Sequence, residues 1–215
     1  MAKSKLIGSG DAEVIAMLKR YKCPTPFHEV RTRFLGNIAS PVAGASPLET
    51  VKQLWGGDLP EIESIDDLNE LLNVLVNGLW NRLTEHQNSR NPFMLVRFDV
   101  VPTRQGLQHF VLVRRQELDG FVTGLFGNEQ QIELPERANE ALEVLAEVRS
   151  MVAAAVQLLD DLSKPAEPGS LQALIRNIQQ ITLIAEKEIN KINLVCKRAR
   201  VQSLEQVATV RPTFH

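Results

Sequence analysis

The sequence predicts an all-α protein, a helical bundle with a long C-terminal antiparallel helical hairpin. Aromatic residues make up only 5% of the 215 residues, so the core must consist mainly of Leu, Ile, Val and Ala. Such a mixture suits the packing of helices better than a β-sandwich. Apolar residues also recur at steps of three and four along most of the chain, and proline or glycine pairs separate these segments.

Composition and charge limit the classes of function. Hydrophobic residues make up 44% and charged residues 23%, which is typical of a globular protein with a core. The formal net charge of -2 provides no general attraction to nucleic acid or to an anionic membrane. No run approaches the ~18 apolar residues of a membrane span, and residues 1–10 lack the apolar region of a signal peptide. We therefore expect a cytoplasmic protein.

The N-terminal part predicts four helices with recognisable ends. We expect them over residues 11–21, 27–39, 46–55 and 64–86. Ser46 followed by Pro47 is a strong start signal, because a hydroxyl cap precedes proline at the first helical position. Ser64 marks another start, with acidic residues in the first turn that follows it and leucines at helical spacing beyond.

Residues 92–126 allow two interpretations. Segments 93–101 and 110–113 are rich in Val and Phe and could pair as a β-hairpin. The apolar residues of 107–125 instead follow a helical stripe, and Asn91-Pro92 could begin a helix. We favour helices and leave the state of residues 93–113 open.

The clearest pattern lies near the C-terminus, where two apolar repeats flank a proline-containing turn over residues 163–170. The first repeat comprises Leu134, Ala138, Ala141, Leu145, Val148, Val152, Ala155, Leu159 and Leu162. The second comprises Leu171, Leu174, Ile178, Ile181, Ala185, Glu188, Ile192, Val195 and Ala199. Steps of four and three favour two helices packed along a seam, and the turn folds them into an antiparallel hairpin.

The hairpin determines the expected domain division. We assign a helical bundle to residues 1–130, the hairpin to residues 131–203, packed on the bundle or extending from it, and a tail to residues 204–215. Glu188 is the one polar member of the seam. Counting back from the turn places it near Arg149, and we hypothesise an ion pair between them at the flank of the seam.

The second hairpin helix carries more apolar surface than one partner helix can cover. The surplus residues form a candidate interaction surface of Ile175, Leu183, Ile189 and Leu194. Either the N-terminal helices or another protein must cover it, and the partner could be a second copy of the chain.

No constellation of catalytic residues stands out. The histidines fit no metal-binding spacing, Cys23 and Cys196 fit no zinc spacing, and phosphate-binding or nucleophile-elbow motifs are missing from the sequence. We therefore expect reduced thiols, no cofactor, no metal, no small-molecule substrate and no enzymatic activity. The alternative is an enzyme with an unfamiliar site around His28 and Glu29.

The last helix also carries a basic cluster. It consists of Lys187, Lys191, Lys197, Arg198 and Arg200. These cations could contact nucleic acid or an acidic partner, although no aromatic residues are interleaved with them for stacking on bases. Cations are also expected near the C-terminus of any helix, where they complement its dipole.

Four short segments carry a family resemblance. They are residues 34–41 (FLGNIASP), 54–58 (LWGGD), 79–81 (LWN) and 118–125 (LDGFVTGL). With these segments in this order, the chain resembles the YecA/YgfB-like family of bacterial proteins over about residues 27–160. The resemblance implies an all-α fold in the bacterial cytoplasm and no settled activity. Some relatives end in a zinc module that resembles the C-terminus of SecA, and this chain lacks its cysteines.

Two features of these segments have a physical interpretation of their own. Gly120 and Gly124, four residues apart, would allow another helix to approach closely, and Trp55 and Trp80 are expected as core anchors. The function we expect is that of an interaction or adaptor protein of the bacterial cytoplasm, which binds a protein partner or a second copy of itself. The alternative is a nucleic-acid-associated regulator or small helical subunit of a ribonucleoprotein.

Overall fold

The computed structural model describes residues 9–41, 46–163 and 167–209. Its helices are α1 (Ser9–Arg20), α2 (Phe27–Ala39), α3 (Pro47–Gln53), α4 (Ile65–Leu72), a π-helical segment (Asn73–Trp80), α5 (Asn81–Thr84), α6 (Arg104–Phe126), α7 (Glu136–Asp160) and α8 (Pro168–Thr209). No strand occurs within these ranges. The expected all-α class is therefore confirmed.

The helices expected in the N-terminal part form close to their expected ends. Ser64 caps α4, since its hydroxyl accepts a hydrogen bond from the backbone N–H of Asp67 at 3.1 Å. The helix expected over 64–86 forms as three consecutive segments with a π-helical centre. Apolar spacing does not distinguish π from α winding over so few turns, so the sequence does not reveal this change.

Helices α2 and α6 pack closely at the centre of the bundle, and glycines permit the approach. A Cβ atom on Gly124 would overlap the backbone carbonyl of Arg33, and one on Gly36 would overlap the carbonyl of Phe121. A Cβ on Gly120 would lie 2.8 Å from the carbonyl oxygen of Glu29. The expectation that Gly120 and Gly124 admit another helix is confirmed, and α2 is that helix.

Residues 93–103 form neither the favoured helix nor a β-hairpin. Residues 93–101 have no regular secondary structure and a bend follows at 102–103, while residues 110–113 belong to α6. We call residues 93–100 the extended segment. Phe93 and Leu95 are buried, whereas Met94 between them is exposed, so side chains alternate as in a strand. Helix α6 begins only after Thr103, whose hydroxyl accepts from the backbone N–H of Gly106 at 3.1 Å. The expectation of a helix from Pro92 is wrong because side chains of other helices bind this backbone, as described below.

The hairpin consists of α7 and α8, and it packs on the bundle. The buried side chains of α7 are Ala138, Ala141, Leu145, Val148, Val152, Ala155 and Leu159. This seam agrees with the expected repeat except at its ends, where Leu134 is half-buried and Leu162 is 81% exposed beyond the helix end. Helix α8 extends to Thr209, into the expected tail, and residues 210–215 lie outside the described residues.

Helices α6 and α2 contact the hairpin from one side, and one apolar core connects the whole. The aromatic anchors lie at its edge: the indole N–H of Trp55 donates to the carbonyl of Tyr21 at 2.8 Å, and Trp80 meets Phe34 edge to face. In the described ranges, no helix has both the length and the apolar character needed to cross a bilayer.

Candidate protein-interaction surface

The bundle itself covers much of the apolar surplus of α8. Ile175 and Ile189 are buried at 9% and 0% exposure, and Leu194 is half-buried. Leu183 alone of the four candidate residues is largely exposed, at 59%. The expected interaction surface is therefore corrected. Ile175 and Ile189 belong to the core, because the buried face of α8 packs against both α7 and the bundle, whereas Leu183 remains exposed.

The polar side of α8 binds the extended segment. Asn190 makes two hydrogen bonds to the backbone of Phe93, and the carboxylate of Glu186 accepts from the N–H of Leu95 at 2.8 Å. The other carboxylate oxygen of Glu186 pairs with Arg97 at 2.6 Å. These groups provide the hydrogen bonds that the backbone of residues 93–97 lacks without a helix or a sheet.

A buried ion pair on α6 completes this arrangement. Arg114 pairs with Glu117 and donates to the carbonyl of Val96, and its Nε donates to Thr182 at 3.1 Å. Glu117 also accepts from the N–H of Val96 at 2.8 Å. Burial raises the pKa of Glu117, and the neighbouring guanidinium opposes that rise. Since backbone and side-chain partners occupy both groups, their geometry indicates a structural role.

The sequence interpretation missed Arg114 and Glu117. The available signal was that Arg114 and Glu117, three apart, fall at the spacing of the apolar stripe, in a segment that also contains Arg115 and Asp119. The periodicity indicated that the segment is buried. It could not indicate that the extended chain from residue 93 onward would use those charges as backbone partners.

His28 lines a cavity of about 300 Å³, together with four valines, Phe98, Gly106, Asp99 and His109. Its Nε2 is 2.8 Å from Oε1 of Gln116, and burial lowers the pKa of the imidazole. Glu29 does not line this cavity and pairs with Arg33 at 2.7 Å. Within the described residues, no cluster of three or more potential ligands could hold a metal ion.

The basic residues of α8 point in different directions. Lys197 donates to the carbonyl of Gln87 and Arg200 to that of Ser40, each at 2.9 Å, so both face the bundle. Lys191 lies 3.3 Å from a carboxylate oxygen of Glu140 on α7. Lys187 and Arg198 are exposed. The structure therefore does not gather the five cations into one patch.

Arg149 pairs with Asp119 on α6, to which it donates twice, at 2.6 and 2.9 Å. The hypothesised pair with Glu188 is thus wrong. Glu188 is buried to 7% exposure, and its neighbour Lys187 lies 3.9 Å from its carboxylate. Arg149 identifies the side of α7 that faces α6, whereas the Glu140 contact with Lys191 identifies the side that faces α8.

A second repeat runs along α7 beside the buried seam. Its members are all exposed, at steps of four and three: Glu140, Val144, Glu147, Met151, Ala154 and Leu158. By helix geometry these residues share one stripe on the side of Glu140, away from α6. Val144, Met151 and Leu158 are 37%, 52% and 45% exposed.

Helix α8 contributes Ile184, which is 43% exposed, and the partly buried Leu174 and Ile181. Ile184 precedes Lys187 by three residues and Lys191 by seven, so it shares their stripe, on the side of α8 toward α7. We call the exposed set Val144, Met151, Leu158 and Ile184 the outer face of the hairpin. Glu140 and Glu147 accompany it on α7, and Lys187 and Lys191 on α8.

No protein-family model matches this chain, and no curated protein and no solved structure is significantly similar to it. The resemblance to the YecA/YgfB-like family therefore stays a prediction.

Proposed function

We propose that this chain is a non-enzymatic interaction protein that binds a protein partner through the outer face of its hairpin. The observation that carries the proposal is the second repeat of α7. Its apolar members are spaced by seven residues. A second apolar stripe beside a buried one is typical of a helix that packs against partners on two sides. One of those sides is covered by the chain's own core, and the other is exposed.

The character of the face supports a macromolecular partner. Large apolar side chains at its centre with charged residues beside them are typical of protein interfaces. A shallow helical surface of this kind suits an amphipathic helix from a partner better than a small ligand. We propose the cytoplasm as the compartment, because an α-helical protein of this composition with free cysteines would work there.

Nucleic-acid binding is the less favoured function. Lys197 and Arg200 donate to backbone carbonyls of the chain itself and face the bundle, so the five cations do not form one continuous patch. A groove that follows a phosphate backbone needs several cations along one line.

The proposal is tested by comparing two variants as baits in a pull-down from native extract. Met151→Glu/Leu158→Glu places charge at the centre of the outer face. Met94→Glu is the matched control, because Met94 is 50% exposed but lies on the extended segment. We expect a partner that the wild type and the control retain and that the outer-face variant loses. Purification of that partner and direct titration must reproduce the difference. Equal retention by all three baits would contradict the proposal.

A further inference from the structure

We infer that the outer face binds the outer face of a second copy of this chain, with the twofold axis parallel to α7 and α8. The two hairpins then form an antiparallel four-helix bundle. This inference rests on the proposed function and names the partner for the same surface.

The geometry of the face fits this arrangement. From Val144 to Leu158 the stripe covers 14 residues, or about 21 Å of helix at 1.5 Å per residue. It is continuous, since the hydrophobic members are spaced by seven residues, and it drifts by only about 20° around the helix per repeat. A second antiparallel hairpin of the same length would cover it from end to end, as in four-helix bundles.

The charges beside the face favour a second copy over an unrelated helix. Helix α7 presents Glu140 and Glu147 along the stripe, with Arg137 before them, and α8 presents Lys187, Lys191 and Arg198, so the α7 side is acidic overall and the α8 side is basic. The contact of 3.3 Å between Glu140 and Lys191 shows that the acidic and basic stretches lie at the same height along the hairpin. One half of the face is therefore the electrostatic complement of the other half.

Symmetry then selects one orientation. A twofold axis parallel to the helices places α7 of one copy over α8 of the other and keeps the height of every residue. Acidic α7 thus meets basic α8 twice. A twofold axis that lies across the helices would place α7 over α7 and α8 over α8 with heights inverted, so none of these four charges would meet an opposite charge of the set. The parallel axis also makes every neighbouring pair of helices antiparallel.

The small size of the face favours a weak association. Standard interfaces bury roughly 1,600 Å² in total, and a face two helices wide and about 21 Å long is smaller. We therefore expect a reversible dimer with a dissociation constant on the order of 10 µM.

Charge reversal tests the pairing. One variant is Glu140→Lys/Glu147→Lys, and the other is Lys187→Glu/Lys191→Glu. Sedimentation equilibrium at concentrations roughly tenfold above and below the expected dissociation constant should show the wild-type dimer. Each variant alone should associate at least about tenfold more weakly, because like charges meet at both contacts. An equimolar mixture of the two variants should restore association as a heterodimer.

The variant that carries all four reversals should again dimerise alone, and circular dichroism should show equal helix content throughout. A wild type that stays monomeric at the highest concentration, or reversals that leave its affinity unchanged, would overturn the inference. The proposed function is tested separately by the pull-down. The chain could prove to be a monomer while its Met151→Glu/Leu158→Glu variant still loses a different protein in the pull-down. That result would exclude a second copy as the partner and would leave the outer face as a docking surface.

Discussion

The side-chain amide of Asn190 on α8 forms hydrogen bonds with both the backbone N–H and the backbone carbonyl of Phe93. The N–H of Phe93 donates to Oδ1 at 2.8 Å, and Nδ2 of Asn190 donates to the carbonyl of Phe93 at 2.9 Å. A side-chain amide thus replaces the neighbouring strand that an extended segment would otherwise need. Phe93 itself is completely buried, so these bonds position a core side chain as well as the backbone.

Asn190→Ala should lower the free energy of unfolding by about 1–3 kcal/mol, because two backbone groups near the core lose their partners. Urea titration followed by circular dichroism measures the change. Asn177→Ala is the matched control, since Asn177 is an exposed residue of the same helix, and it should change stability by less than about 0.5 kcal/mol. Equal effects of the two substitutions would show that the extended segment is held by other contacts.

Arg114→Met should cost about 3–5 kcal/mol of stability, because the buried carboxylate of Glu117 would lose the guanidinium that pairs with it. The double variant Arg114→Met/Glu117→Gln should recover at least half of that loss, since the amide oxygen of Gln can still accept from Val96. Arg20→Met serves as the control for an ion pair in solvent and should cost no more than about 1 kcal/mol. A double variant as unstable as the single one would contradict the assignment.

Gly124→Ala should prevent close packing of α2 on α6, because the added Cβ overlaps the carbonyl of Arg33. Backbone must move to relieve the overlap, so we expect a loss of at least about 3 kcal/mol or failure to fold. Gly169→Ala has nothing within 4 Å of the added Cβ and should be neutral or slightly stabilising. Thermal unfolding of the two variants decides the point, and similar melting temperatures would count against the close contact.

The stability of the protein should depend on His28 below neutral pH. Burial lowers the pKa of this imidazole, and its proton is more tightly bound in the unfolded chain. Stability therefore falls as pH decreases through the unfolded value of about 6.5 and continues to fall until the folded pKa is reached. His28→Gln should have a smaller loss of stability between pH 7 and pH 5 than the wild type. Parallel pH profiles from denaturant titrations would refute this.

Periodicity predicted the helices of this fold well. The seam of α7 was expected from Ala138 to Leu159, and the structure buries each of those members. The ends of the N-terminal helices were also predicted closely, because proline, glycine and capping residues act locally. On α8 the buried stripe includes Ile175, Thr182 and Ile189, beside the expected one, because the helix faces α7 and the bundle together.

The extended segment could not be predicted in this way. Its conformation depends on Glu117, Glu186 and Asn190, which lie 21 to 97 positions further along the chain than their partners in the segment. A local sequence pattern cannot indicate partners so far away in the chain. The valines of the segment also suit a strand or a buried helix equally. The outer face was missed for a related reason. Its repeat on α7 became visible only after the first repeat was known to be buried.

The central claim is that a protein covers the outer face in the cell, and methionine oxidation tests it most directly. Met151 on the outer face and Met94 on the extended segment are 52% and 50% exposed, so in dilute purified protein they should oxidise at similar rates. In intact cells, brief oxidant treatment followed by mass spectrometry should find Met151 oxidised several-fold more slowly than Met94. Equal oxidation of the two methionines in cells would contradict the claim.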